Sequence, residues 1–280
     1  MPLNALDSQA DTAAGVSIVT LVSVGQHPSS GRARRADQDS KALELALTLA
    51  DRCQSASLNV LHAGHVSDAQ HQAVLREYIG MGVPSLSVLQ QPSGADVVPA
   101  ISARLRGLQA DVVLTGSRAE SGEGSGMMPY LIAQALGWPI LPAAVDITAL
   151  ADGEFEVLQA LPRGQRRLLK VRAPFVASVD VAATPARQTA WAAGQRGQLE
   201  SVEMDTSALP DTVMADASIE PARKRPKRIA PAKKAKTAAD RFKAATAKTA
   251  SKGGAVMVNE SASDKAAAIY DMLVSQGVVK

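Results

Sequence analysis

Residues 16–24 form a largely apolar run rich in β-branched residues, closed by Gly15 and Gly25. A short apolar segment between glycines predicts a strand buried on both faces, and so a parallel sheet. After a polar, Arg-rich stretch, Leu43, Leu45, Ala46, Leu47, Leu49 and Ala50 recur at helical spacing, with Asp39 and Ser40 upstream as candidate N-caps. The alternation goes on as strand 57–63, helix 68–81, strand 85–89, helix 95–108, strand 111–116 and helix 126–136. Four strand–helix units in succession predict an α/β fold with a doubly wound, mostly parallel sheet.

Beyond Gly137 the pattern changes. Pro139, Pro142, Pro162 and Pro174 punctuate β-like stretches at 145–148, 155–161, 166–171 and 175–181, which predict antiparallel strands appended to the sheet. Gly194 to Gly197 closes the body, and 205–220 carries no periodicity. Residues 221–254 are mostly Ala, Lys, Arg, Pro and Thr, too hydrophilic to bury a core and expected to be disordered alone. A terminal helix is expected over 264–274, starting at Ser263, with apolar Ala267, Ile269, Tyr270, Leu273 and Val274. These patterns predict a flexible N-terminus (1–15), an α/β body (16–204), a basic linker or arm (205–254) and a C-terminal arm with its helix (255–280).

Charge sharpens that division. The formal net charge is +3, yet 221–252 holds twelve Lys or Arg against the single Asp240, a net of +11 that leaves the rest at −8. The basic character belongs to a tail, and the body is acidic. Aromatic residues are 3% of the chain, which disfavours base-stacking surfaces, so a solvated linker or an arm on an acidic partner is expected rather than direct nucleic-acid binding. No run of about 18 apolar residues is present to span a bilayer. The first fifteen residues carry Asp7 and Asp11, no Lys or Arg and no apolar centre, unlike a targeting segment, so a cytoplasmic location is expected. The lone Cys53 falls inside a helical pattern and reads as structural.

The chemistry-bearing candidate is the turn from Gly116 to Gly126, between a strand and a helix. Glycines let backbone N–H groups converge, and a helix N-terminus adds partial positive charge, so a phosphate can be held there without a lysine. Ser125 is placed to cap the helix or donate its hydroxyl. The segment is neither a P-loop nor a G-x-G-x-x-G fingerprint. A plain flexible loop is the alternative, toward which Glu123 leans, but the carboxyl end of a strand is where open sheets bind ligands. His62, His65 and His71 straddle a strand end, a loop and a helix without an accompanying Cys, and surface or loop histidines are expected rather than a metal site. No G-x-S-x-G elbow or triad context is present, and Glu120 and Glu123 sit in an exposed loop, so no catalytic side chain is expected.

Taken together, these residues resemble the beta subunit of the electron transfer flavoproteins from about residue 16 to 280. Ala36, Asp37, Gln38, Asp39 and Ser40 stand where the family has its N-P-F-D/C-E turn, and Ala42, Leu43, Glu44, Leu45 and Ala46 match A-L-E-x-A. Leu75 through Gly82 is similar to the segment L-R-x-A-L-A-M-G, and Asp111 to Gly116, Ser125–Gly126 and Leu136 to Pro139 are similar to D-L-V-L-x-G, T-G-Q and L-G-W-P. The sequence departs from the family at Ala36–Asp37, at Ser117–Arg118 and at Met127.

The resemblance implies a Rossmann-like, adenine-nucleotide-binding fold and a heterodimer with an alpha subunit that carries the redox FAD. It implies an AMP in the beta subunit, or a second FAD in bifurcating members. It also implies electron flow from a flavin dehydrogenase to a membrane quinone oxidoreductase, with no catalytic side chain on this chain. By motif position Ser23, Ala36, Asp37, Gln38, Asp39, Ala63, Gly116, Ser117, Arg118, Gly122, Glu123, Gly124, Ser125 and Gly126 surround the nucleotide. The segment 185–200 matches the loop that recognises dehydrogenases, with Ala190 or Trp191 at the anchoring position. The terminal arm and helix reach toward the alpha subunit. A nucleotide-binding sensor or nucleotide-dependent hydrolase of the same architecture, with its tail on nucleic acid, is the alternative.

Overall fold

The structure, a computed structural model, describes residues 15–65, 68–122, 124–204, 209–218, 220, 237 and 257–275. The chain separates into two units, Met1–Ile219 and Glu220–Lys280.

The first unit is built on β1 (Val16–Leu21), β4 (Ala56–Gly64), β5 (Ser85–Gln90), β6 (Val112–Gly116), β7 (Ile140–Ala149), β8 (Glu154–Ala160), β9 (Arg166–Arg172), β10 (Phe175–Val179) and β11 (Gln198–Val202). These form one sheet in the order β11-β5-β4-β1-β6-β10-β7-β8-β9. Side chains alternate across it. Ile18, Val112, Leu114 and Phe175 meet α1 (Asp37–Arg52) on one face, and Val60 and Val88 meet α1 and α2 (Ala69–Ile79). On the opposite face Val19, Leu61, Val113 and Val176 pack against α3 (Val98–Gly107) and α4 (Met128–Leu136). The α/β, mostly parallel architecture is the one that the hydrophobic pattern predicts.

The topology places the switch point. β1 pairs in parallel with β4 on one side and with β6 on the other. The chain therefore winds outward through β4 and β5 before returning to β6, and the crossovers leave the carboxyl ends of β1 and β6 in opposite directions. A crevice opens there in a doubly wound sheet.

Several boundaries differ from the expected ones. The run 16–24 is two elements, because β2 (Val24–Gln26) leaves the sheet to form an antiparallel hairpin with β3 (Ala33–Arg35). The first helix starts earlier than the cap candidates suggest: Ala36 is its N-cap, and Asp39 and Ser40 lie within its first turn. Helix α4 begins at Met128, after Gly126 has left helical geometry at φ 78°, and Pro129 takes a first-turn position where no N–H is missed. β10 is parallel, inserted between β6 and β7, and β7 is parallel to it in turn; in this sheet only the β7–β8 and β8–β9 pairings are antiparallel. Burial explains the difference: FVASV is buried at every position, as a two-faced interior strand requires, whereas EFEVLQA alternates. β11, which the sequence reading lacks, pairs in parallel with β5 at the sheet edge.

Residues 209–218, expected to belong to the linker, contain α6 (Thr212–Asp216), which follows α5 (Trp191–Arg196) and β11. In the second unit the described element is α7 (Ala262–Ser275). Its start is set by Ser261, whose hydroxyl accepts from the Asp264 N–H at 3.2 Å and donates to the Asp264 carboxylate at 2.7 Å. The flexible N-terminus expected over 1–15 and the disorder expected over 221–254 fall almost wholly outside the described residues.

Candidate functional site

The first turn of α1 knots the switch point together. Asp39 is buried, and its Oδ2 accepts from the Ser23 N–H at 2.8 Å and the Ser23 hydroxyl at 2.5 Å, while its Oδ1 accepts from the Gly116 N–H at 3.1 Å. One carboxylate thus joins the ends of β1 and β6. Burial pushes its pKa up from 3.8 to about 6, against the pull of these hydrogen bonds. Tyr78, fully buried, donates to the Ser23 carbonyl at 2.9 Å and accepts from the Ala36 N–H at 2.8 Å, and its burial drives the phenol well above its ordinary range.

The neighbouring residues continue the knot. Gln38 Oε1 accepts from the N–H groups of Ser117 (3.0 Å) and Arg118 (3.2 Å) and from the Ser117 hydroxyl. Glu120 accepts from the Asp37 N–H at 2.8 Å, so a side chain from the loop after β6 caps α1, and it also pairs with Arg34 at 2.9 and 3.0 Å. The Ser121 hydroxyl donates to the Val24 carbonyl at 2.7 Å.

Above this knot lies a cavity of about 660 Å³ at the carboxyl ends of β1, β4 and β6. That volume suits a small organic ligand. Of the residues singled out from the sequence, Ser23, Asp39, Ala63, Gly116, Arg118, Gly122, Gly124, Ser125 and Gly126 line it. Ala36, Asp37, Gln38 and Ser117 do not; they brace the walls from behind. Glu123 lies outside the described residues.

The two ends of the loop expected to hold a phosphate, Gly116 to Gly126, differ in how their N–H groups are used. The N–H groups of Gly116, Ser117 and Arg118 are taken by Asp39 and Gln38. Those of Ala119, Gly122, Gly124 and Gly126 donate to no described residue. Gly122, Gly124 and Gly126 sit at φ 70°, 59° and 78°, a region glycine enters without strain. Ser125 does not cap α4 directly; its hydroxyl accepts from the Met127 N–H at 3.2 Å. Arg118, exposed beside this loop, makes no ion pair with a described residue.

Sequence reasoning missed much of the apolar wall. Leu61, Val97, Ile101 and Leu131 face the cavity, as do Asp211 and Met214 of the segment after β11. Asp211 capping Thr212 onward is a start signal visible in the sequence, obscured by the absence of periodicity around it. His62 is not the surface histidine expected: it sits in β4, lines the cavity and donates from Nδ1 to the Val22 carbonyl at 2.9 Å, and burial holds it below its ordinary pKa. Among the described residues no group of three or more His, Cys, Asp or Glu is placed to hold a metal ion. Cys53, the C-cap of α1, is half-buried, and burial raises its thiol pKa.

A second feature stands apart from the cavity. Ala190 is the N-cap of α5, and Trp191, its first residue, is 75% exposed. The short helix is held against α2: the Ala190 N–H donates to the Gly80 carbonyl at 2.9 Å, and Arg76 reaches the carbonyls of Gly194 and Gly197 at 3.3 and 3.1 Å. Upstream, Arg187 grips Glu44 through its N–H (2.9 Å), Nε (2.8 Å) and Nη2 (2.9 Å). The braced segment thus leaves a large indole exposed to solvent.

The family model for the electron transfer flavoprotein domain matches residues 29–207. The electron transfer flavoprotein subunit beta of Chromohalobacter salexigens is 44% identical over 263 residues, 94% of this chain and 96% of that protein. The chain belongs to the electron transfer flavoprotein family, among its beta subunits. As an electron transfer flavoprotein beta subunit it takes part in electron transport, and flavin association comes with the family. This beta subunit has no described helix long and apolar enough to cross a membrane.

Proposed function

We propose that this beta subunit pairs with an electron transfer flavoprotein alpha subunit in the cytoplasm, completes the site of an FAD held mainly by that partner, and binds a structural AMP in the cavity at the switch point. The FAD carries electrons from a flavin dehydrogenase toward a membrane quinone oxidoreductase. No side chain of this chain takes a bond-making part; its residues bind, position and exclude water.

The observation that supports AMP is the polarity of the cavity. One end offers the N–H groups of Ala119, Gly122, Gly124 and Gly126, which donate to no described residue, together with the Arg118 guanidinium, a donor set suited to a phosphate. The other walls, with Leu61, Ala63, Val97 and Ile101, are apolar and suit a purine and its ribose. Asp39 keeps the switch-point N–H groups of Ser23 and Gly116 for itself, so the phosphate belongs on the glycine loop. The segment 185–197, braced by Arg187 and Arg76, presents Trp191 to the dehydrogenase.

Calorimetric titration of the nucleotide-free chain with AMP tests the reading. Binding that Arg118→Ala weakens by about tenfold, the loss of one charge-assisted contact, is expected. Equal affinity for AMP and adenosine would contradict it.

A further inference from the structure

The outer wall of the cavity comes from the segment that follows β11. Residues 209–216 are pinned by their backbone to the loop before α3. The Asp96 N–H donates to the Leu209 carbonyl at 2.8 Å, the Asp211 N–H donates to the Gly94 carbonyl at 2.9 Å, and Ala95 and Pro210 form an antiparallel bridge. Asp211 Oδ1 accepts from the N–H groups of Val213 (3.0 Å) and Met214 (3.1 Å), which starts α6.

The segment has almost no core of its own. Leu209 and Val213 are 56% and 61% exposed, and Thr212, Ala215 and Asp216 are exposed as well. Asp211 and Met214 alone are half-buried, and both line the cavity. A five-residue helix does not sustain itself in water, and an element with so few buried contacts stands at the low end of local stability. What it buries, it buries against the cavity.

We propose, building on the nucleotide reading above, that residues 209–216 are a ligand-contacting strap in which Met214 covers the nucleoside end of the bound nucleotide. Met214 shares the cavity wall with Val97 and Ile101. A thioether chain adapts to a flat ring and makes favourable contact with an aromatic edge. Asp211 fixes the orientation. Its Oδ2 accepts from no described residue, and a carboxylate accepts from hydroxyl or amino groups while repelling phosphate. The strap therefore takes the ribose and base, and Arg118 with the glycine loop takes the phosphate. Filling the cavity supplies the packing partner that the strap lacks, so occupancy orders it.

Hydrogen exchange of the full chain, freed of nucleotide, is measured with AMP, with inorganic phosphate and with neither, alongside calorimetry on Met214→Ala and Val213→Ala. AMP slows exchange across 209–216, and phosphate alone does not. Met214→Ala weakens AMP binding about five- to tenfold, the cost of removing a partly buried Met side chain. Val213→Ala, whose side chain points outward, binds AMP as the parent does. AMP binding with unchanged exchange in the strap and unchanged affinity in Met214→Ala overturns the strap alone. No AMP binding by the parent chain overturns the nucleotide reading and the strap with it.

Discussion

The Gly116 N–H donates to the Asp39 carboxylate across 3.1 Å, and this contact ties the first crossover helix to the end of the strand on the far side of the switch point. The same carboxylate holds Ser23 at the end of β1. It is both the clasp of the fold at this point and part of the cavity floor.

Asp39 makes stability depend on pH. Its folded pKa is raised from 3.8 to about 6 by burial, so the folded state binds a proton more tightly than the unfolded chain. Ionisation thus subtracts stability as pH rises from about 4 to 6, on the order of 2–3 kcal/mol in full, and the cost stays constant above that window. Groups that set this value include the Ser23 and Gly116 donors, which lower it, and Glu120, which raises it. Asp39→Asn removes the slope. Urea unfolding of both proteins across this pH range checks it: the parent loses stability relative to the variant as pH rises, and parallel curves would contradict the assignment.

Gly116 and Gly122 fail for different reasons when given a side chain. A Cβ on Gly116 would run into the Asp39 carboxylate and crowd Gln38, in a buried strand that cannot give way. Gly122 has open space around it but sits at φ 70°. Gly116→Ala is expected to cost about 1–3 kcal/mol and to loosen the clasp, and Gly122→Ala about 1 kcal/mol. Denaturant midpoints check both.

Glu44 and Arg187 form the anchor of the Trp191 segment. Burial pushes the Glu44 carboxyl up, but the Arg187 hydrogen bonds and charge outweigh it and hold the pKa below the ordinary 4.5. The pair therefore contributes stability above that value, lost as pH falls through the folded pKa. Because Arg187 is 40% exposed, screening limits the contribution to about 1 kcal/mol. Glu44→Gln is expected to lower the stability by that amount at neutral pH, with the difference from the parent closing in acid. Its electron transfer with the dehydrogenase is expected to show a raised KM.

Trp191→Ala separates docking from folding. A side chain this exposed carries little fold stability, so unfolding is expected to shift by less than about 0.5 kcal/mol. A buried interface tryptophan is worth at least about 2 kcal/mol, which predicts a KM for the reduced dehydrogenase raised about thirtyfold with kcat retained. An unchanged KM would remove Trp191 from the docking surface.

Much of this was legible in the sequence because each strand–helix unit carries its own period. β1, β4, β5 and β6 announce themselves as apolar runs, and α1 by its leucine spacing. What was not legible depends on contacts distant in sequence. Asp39 and Ser40 read as caps, but the Asp37 N–H at the start of α1 is served by Glu120, over eighty residues downstream. Arg118 lines the cavity, yet its N–H is spent on Gln38. β11 and the strap gave no periodic signal because one is a short edge strand and the other a half-buried helical turn.

The most direct test is acid extraction of the purified heterodimer, followed by identification and counting of the released nucleotides by mass. The account predicts one FAD and one AMP per heterodimer, with the AMP content reduced by Arg118→Ala and the FAD content unchanged. A heterodimer that yields FAD and no adenine mononucleotide would contradict the assignment of the switch-point cavity.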